Sequence, residues 1–237
     1  MPAVANVTKV AKQDSLGEAL DMVDLAVGAV QADMNVAMLK AIRDGNVPKA
    51  KELLDHPMLN IDPNAAITDT YNYTWDPFLV TAAAVGSWEI VQLLVNAGAD
   101  LNAVGHHSGL TALCEAIANK DRKTFDVLLR AGADLDATSD EKATAVHLAA
   151  SYGRFHMLES LLKRGANPNA EDRVEHTPMY YAKLQGHEET QNVLKKYGGR
   201  MYREEWPEQF DADLAAELEA TSWVKHVWND TAFQESV

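Results

Sequence analysis

The amino-acid sequence repeats with a period of about 33 residues, and this constrains the fold more than any other feature. Gly-Ala-Asp or Gly-Ala-Asn stands at 98–100, 132–134 and 165–167, in steps of 34 and 33 residues, and Gly198 follows 33 residues later. Two further residue types recur in the same register: Thr111, Thr144 and Thr177, and Leu94, Leu128, Leu161 and Leu194. Such coincidence indicates a chain built from copies of one supersecondary unit.

Residues 144–170 show what one unit contains. Thr144 stands where a helix N-terminus is expected, and apolar residues follow it at helical spacing. Gly153 ends this first helix, and Gly165 ends a second one, as expected for a residue with a left-handed backbone. The second helix places four apolar residues on one face: Phe155, Leu158, Leu161 and Leu162. Two short helices cannot bury these faces alone, whereas stacked neighbours can, so the unit predicts a helical solenoid.

These residues resemble the ankyrin repeat, a unit of about 33 residues with a T-P-L-H-x-A motif. Thr177-Pro178, the segment TAVHLAA at 144–150 and GADLNA at 98–103 carry the resemblance, which is clear over 72–200 and degenerate at 36–64. It implies an all-α fold: an ankyrin-repeat solenoid of about five helix-turn-helix units with β-hairpin connections and helical caps at both ends. Three residues depart from the motif, where Pro77 replaces threonine, Cys114 histidine and Lys120 glycine.

The repeat divides the chain into an array at 36–200 and two flanking segments. We expect a degenerate first unit at 36–71, with Asn35 as a helix cap, and four units at 72–103, 104–137, 138–170 and 171–200. Aligning Leu54 with Leu94 leaves about seven extra residues, which we place between Asp62 and Pro77. Residues 1–35 contain an amphipathic helix that would cap the first unit or be offered to a partner.

Charge is concentrated in the C-terminal segment. Residues 201–237 carry nine acidic side chains against Arg203 and Lys225, a net charge of −7 out of −14 for the chain. Three tryptophans accompany the acids, so we expect a helical cap on the last unit, or a tail that docks on a partner or back across the array. The net charge argues against nucleic acid, because phosphate binding requires a basic face, and favours a protein partner with a basic surface.

Composition also bounds the cellular setting. The single cysteine, Cys114, excludes an internal disulfide and favours a reducing intracellular compartment. We expect the cytoplasm, with the nucleus and organelles left open. No segment approaches the roughly 20 apolar residues that span a bilayer, and the first thirteen residues lack the core of a secretory signal. We therefore expect no membrane insertion. We also expect a chain that is monomeric by itself.

The residue patterns predict no catalytic residue, cofactor or metal site. The phosphate-binding glycine motifs are absent, and the adjacent pair His106-His107 has no further ligand at metal spacing. Cys114 is expected to be a buried, inert thiol, and His147 to support its hairpin by hydrogen bonds. Asn102 follows Leu94 and Asp100 at the spacing found in ankyrin repeats whose asparagine is hydroxylated. Most such asparagines simply hold the turn.

The resemblance implies a concave binding surface formed by the hairpin tips and the exposed side of each first helix. By register, the residues expected to contact a partner are Val85, His106, His107, Asn119, Asp140, Lys142, Tyr152, Arg173, Glu175 and Gln185. In the longer loop of the first unit, Tyr71, Tyr73 and Trp75 alternate with polar residues and share one side. They would either form a recognition patch, since Tyr and Trp are favoured interface anchors, or pack on the first unit.

The predicted function is that of a protein–protein interaction module: an adaptor, inhibitor or scaffold that binds through the concave face. The alternative is an integral structural subunit of a larger multiprotein assembly, docked by the N-terminal helix and the acidic tail. We expect no enzymatic activity.

Overall fold

The computed structural model describes residues 32–56, 61–65, 76–106 and 108–201. Ten helices lie in these residues: α1 (32–43), α2 (Val47–Leu54), α3 (Phe78–Val85), α4 (Trp88–Asn96), α5 (Ala112–Ala118), α6 (Arg122–Ala131), α7 (Ala145–Ser151), α8 (Phe155–Lys163), α9 (Pro178–Leu184) and α10 (Glu188–Lys196). They form five consecutive helix-turn-helix pairs. The capping helix predicted before residue 32 and the acidic segment after residue 201 lie outside the described residues.

Local sequence explains where the helices begin and end. The Asp121 carboxylate precedes α6 and accepts the backbone N–H groups of Lys123 (3.0 Å) and Thr124 (3.2 Å). Gly132 follows α6 with a φ of 88°, a left-handed conformation that glycine adopts without strain. In the turn before α6, Lys120 has a φ of 57°, so this departure from the repeat motif is accommodated by a left-handed lysine.

Stacking supplies the stability that such short helices lack alone. The first helices pack on one another, α3 on α5, α5 on α7 and α7 on α9, and the second helices α4 and α6, and α8 and α10, also make contact. One continuous core runs through the array, and its largest fully buried side chains are Met38, Ile42, Phe78, Leu79, Ile90, Leu94, Leu113, Ile117, Phe125, Leu128, Leu148 and Leu158. The helical solenoid predicted from the repeat is confirmed.

The connections between units are tight turns. In the described residues they contain no regular strand, although an isolated antiparallel bridge joins Val104 to Thr111. The turn before α7 closes through a hydrogen bond from the Ser139 amide to the Ala143 carbonyl at 2.8 Å. The predicted hairpins are therefore reduced to their turns.

The first unit corrects two details of the prediction. Asn35 lies inside α1, which is already helical from residue 32, so Asn35 is not its cap; no Gly or Pro interrupts the helix there. Gly45 and Gly86 occupy the same left-handed turn position 41 residues apart, which aligns Leu53 with Leu94, one residue from the predicted alignment. Leu53 and Leu94 are both buried.

A row of Asn and Asp side chains links each unit to the next after the second helix. Each accepts a backbone N–H of the following unit: Asn64 from Asp100 (2.6 Å), Asn102 from Asp134 (2.9 Å), Asp136 from Asn167 (3.1 Å) and Asn169 from Arg200 (2.7 Å). Asn64 follows Leu53 by 11 residues, whereas Asn102 follows Leu94 by 8, so part of the insertion precedes Asn64 instead of following Asp62. Through this bond Asn102 holds the equivalent turn of the next unit.

Candidate protein-binding surface

Successive hairpin tips are joined by backbone hydrogen bonds. The Asp140 amide donates to the Gly109 carbonyl at 3.0 Å, and the Arg173 amide donates to the Glu141 carbonyl at 2.9 Å. Residues that are 31 and 32 positions apart in sequence therefore lie side by side. The turns at 105–106 with 108–109, at 139–143 and at 172–176 form one row, which we call the tip edge.

Charged side chains of the tip edge are fixed by the same backbone. The Arg173 guanidinium donates to the Asp140 carbonyl at 2.8 Å and pairs with the Glu141 carboxylate at 3.2 Å. Lys142 and Glu175 are exposed and occupy equivalent turn positions with φ values of 58° and 63°. Because their backbones are held in this uncommon conformation, the directions in which both side chains leave the turn are set by the fold.

One exposed apolar residue on the tip edge was missing from the predicted contacts. Val174 is 60% exposed, and its amide is held by the Asp172 carboxylate at 2.9 Å. A valine between charged residues in a turn was the available sequence signal, since such turns are otherwise polar.

The C-terminal ends of the first helices are capped by side chains from the following unit. The Asn119 amide donates to the Ala84 carbonyl of α3 at 3.0 Å, and His187 Nε2 donates to the Ser151 carbonyl of α7 at 3.0 Å. Both bonds satisfy helix-end carbonyls that have no partner within their own helix. Asn119, predicted as a partner contact, is therefore also a structural link between units.

Beside these helix ends, three predicted contact residues differ in exposure. Val85 is 47% exposed at the end of α3, whereas Tyr152 and Gln185 are half-buried after α7 and α9. The Arg154 guanidinium lies 5.8 Å from the centre of the Tyr152 ring. Burial and the nearby Glu115 carboxylate raise the pKa of Tyr152 to about 12, so its phenol stays neutral and can donate a hydrogen bond.

A cluster of buried polar side chains lies next to the tip edge and stabilises its turns. The Thr144 amide donates to His147 Nδ1 at 3.1 Å, so Nε2 carries the ring proton and donates to the His176 carbonyl at 3.1 Å. The Asp172 carboxylate accepts the His176 amide at 2.9 Å and the Tyr181 hydroxyl. Burial lowers the pKa of His147, which keeps the ring neutral. His147 thus joins two successive hairpins by hydrogen bonds, as predicted.

Comparison with known proteins agrees with this architecture. A family model described as ankyrin repeats (3 copies) matches residues 41–139 and 113–204, more than half of the chain. The chain belongs to the ankyrin-repeat family. Ankyrin repeats are protein–protein interaction modules, so the family assignment supports a binding surface on this array.

Several curated ankyrin proteins are similar to the chain over part of their length. B-cell lymphoma 3 protein homolog of Mus musculus is 30% identical over 112 residues, 47% of this chain and 25% of that protein. E3 ubiquitin-protein ligase XBAT32 of Arabidopsis thaliana is 30% identical over 189 residues, 68% of this chain and 36% of that protein. A putative ankyrin repeat-containing protein of Treponema pallidum is 29% identical over 146 residues, which are 62% of this chain and 46% of that protein. The chain spans less than half the length of each relative, and the names of the three relatives indicate no single activity.

The ankyrin array leaves most of the predicted contact residues accessible. The exposed ones are Val85, His106, Asn119, Asp140, Lys142, Arg173 and Glu175. Those that lie outside the described residues are Tyr71, Tyr73, Trp75 and His107. Asp140, Lys142, Arg173 and Glu175 share the tip edge, whereas Val85 and Asn119 lie at helix ends.

Potential metal ligands and the thiol of Cys114 also lie in the described part of the array. No three His, Cys, Asp or Glu side chains among the described residues gather in a group that could hold a metal ion. Cys114 is fully buried, and burial raises the pKa of its thiol to about 11, which makes it a poor nucleophile. Every helix in the described ranges is also too short or too polar to cross a membrane.

Proposed function

We propose that the ankyrin array binds a partner protein along the tip edge and the adjoining ends of the first helices. In this role it acts as an adaptor, inhibitor or scaffold and has no catalytic activity of its own. The observation that carries the proposal is the series of backbone hydrogen bonds between successive tips. These bonds hold exposed side chains of three units in one fixed row, so binding does not require the ordering of separate loops.

The partner surface that suits this row is basic. Apart from the buried Asp172, three carboxylates accompany two cations on the tip edge: Asp140, Glu141 and Glu175 beside Lys142 and Arg173. The chain as a whole has a net charge of −14, which attracts a basic partner over long range. Val174 adds an exposed apolar contact within the row.

We also infer a monomeric chain in a reducing, intracellular and cytoplasmic setting, which suits the single buried Cys114. Tyr71, Tyr73 and Trp75 extend the proposed surface as a recognition patch. Replacing all three by alanine should weaken partner binding and leave the melting temperature unchanged. The opposite result, normal binding and a lower melting temperature, would assign them to packing.

Affinity capture from the native source followed by mass spectrometry identifies the partner, and a matched pair of variants tests the surface. Val174→Lys lies on the tip edge, and Val36→Lys lies outside it on α1 at a similar 55% exposure. We expect Val174→Lys to raise the Kd about tenfold, because it removes an apolar contact and repels a basic partner, and Val36→Lys to leave it unchanged. Unchanged binding by folded Val174→Lys would refute the proposal. A complex of fixed stoichiometry that survives high salt would favour the structural-subunit alternative.

A further inference from the structure

The last unit differs from the others at two positions that every earlier unit buries. One position lies near the end of the first helix and is apolar with no exposed surface: Ile42, Ala83, Ile117 and Ala150. The other lies in the second helix and is equally buried: Ala50, Val91, Phe125 and Leu158. In the last unit these positions carry Lys183, which is exposed, and Gln191, which is half-buried. Because each earlier unit has a following neighbour, the two positions mark the surface that a neighbour covers.

A third substitution lies one turn further along the second helix, at a position that is buried in the third and fourth units and half-buried in the first two. Lys195 is exposed where the fourth unit has Leu162, which is only 6% exposed. The Gln191 side-chain amide donates to the Ala182 carbonyl at 3.2 Å. We call the surface formed by Lys183, Gln191 and Lys195 the end face. It is polar, and its two lysines outweigh the exposed Glu188, which lies on the same side of α10 as Lys195. An apolar sixth unit could not stack there without desolvating two ammonium groups.

The chain leaves the array beside this end face. The Thr177 hydroxyl donates to the Arg200 carbonyl at 2.9 Å, and the Arg200 amide donates to the Asn169 side chain at 2.7 Å. These bonds fix the point from which the acidic segment begins. Residues 202–237 carry nine acidic side chains against Arg203 and Lys225, a net charge of −7. Tethering at this point gives the segment a high effective concentration at the end face.

We propose that residues 202–237 dock in cis on the end face, with carboxylates against Lys183 and Lys195. We infer this docking from charge complementarity, because the tethered segment is acidic and the end face carries lysines where the inner interfaces have apolar residues. The aliphatic stems of the two lysines provide apolar surface for the aromatic residues of the segment. In this arrangement a segment that is not a repeat caps the last unit of the solenoid. The docking does not depend on partner binding at the tip edge.

Hydrogen exchange of the 237-residue chain measures this docking directly. The test variant, Lys183→Glu/Lys195→Glu, reverses the charge of the end face. A matched control, Lys40→Glu/Lys51→Glu, makes the same charge change on exposed lysines of the first unit, and Lys51, like Lys195, lies in the last turn of its helix. Lys183→Gln/Lys195→Gln removes the charge with less effect on the helix ends and serves if the reversal disturbs folding.

We expect amide protection within 202–237 in the wild type, at protein concentrations low enough to keep the chain monomeric. Exchange there should accelerate about tenfold in the end-face variants and remain unchanged in the control, with the array protected throughout. Raising the salt concentration should also accelerate exchange within 202–237, because salt screens the attraction between the segment and the lysines. Absence of protection in the wild type, or protection that the end-face variants retain, would overturn the proposal. Protection that depends on protein concentration would assign the segment to a second copy and would equally overturn docking in cis.

Discussion

Lowering the pH should destabilise the array through His147. The Thr144 amide can only donate, so a protonated ring, which has no acceptor nitrogen, loses the bond from Thr144 to Nδ1. Burial lowers the pKa of His147 in the folded chain and outweighs the nearby Asp172 carboxylate, which acts in the opposite direction. The unfolded chain therefore binds this proton more tightly. The stabilisation is complete above the unfolded pKa of about 6.5 and decreases as the pH falls below it.

The size of the effect follows from proton linkage. One histidine that stays neutral in the fold contributes at most about 1.4 kcal/mol per pH unit below the unfolded pKa. The free energy of unfolding should therefore fall by up to about 1.4 kcal/mol between neutral pH and pH ~5.5. For an array of this size, that loss lowers the Tm by about 3 to 6 °C.

Urea unfolding at several pH values, followed by circular dichroism, measures the effect. His147→Gln removes the titrating group and should lose this part of the pH dependence, in addition to a pH-independent loss of stability. His106→Gln, at an exposed histidine on the tip edge, is the control and should keep the wild-type dependence. The reasoning is refuted if His147→Gln keeps the full pH dependence, or if NMR titration of the folded chain finds an ordinary pKa for His147.

Three further predictions concern single residues, each tested by one measurement. Asn102→Ala removes the acceptor for the Asp134 amide and should cost about 0.5–1.5 kcal/mol in urea unfolding, whereas Asn102→Asp should cost little, because Asp136 makes the equivalent bond. Lys120→Gly removes the backbone strain of a lysine in the left-handed conformation and should raise the free energy of unfolding by up to about 1 kcal/mol. A decrease would show that the turn carries no strain. Cys114 should resist alkylation at pH 8 until the array unfolds, because burial raises its thiol pKa to about 11, and rapid labelling of the native chain would contradict its burial.

Much of the fold could be predicted from the sequence because repetition makes local signals coherent. Glycines and threonines at a constant step mark where helices end and begin, and each copy supports the assignment of the others. The first unit was predicted less well, since its insertion shifts the alignment and Asn35 resembles a cap in a stretch that stays helical. A single degenerate copy offers only propensity, which is a weak guide without its neighbours.

The sequence by itself determined that this chain stacks helix pairs, because an apolar stripe that recurs every unit has no other way to leave water. Only the tertiary structure decided which distant groups meet. Arg173 reaches Glu141, and His147 reaches the His176 carbonyl, across 32 and 29 residues. It also decided that Val174 stays exposed while Tyr152 is half-buried. Contacts between units depend on how each pair is set against the next, and that geometry is a property of the assembled array.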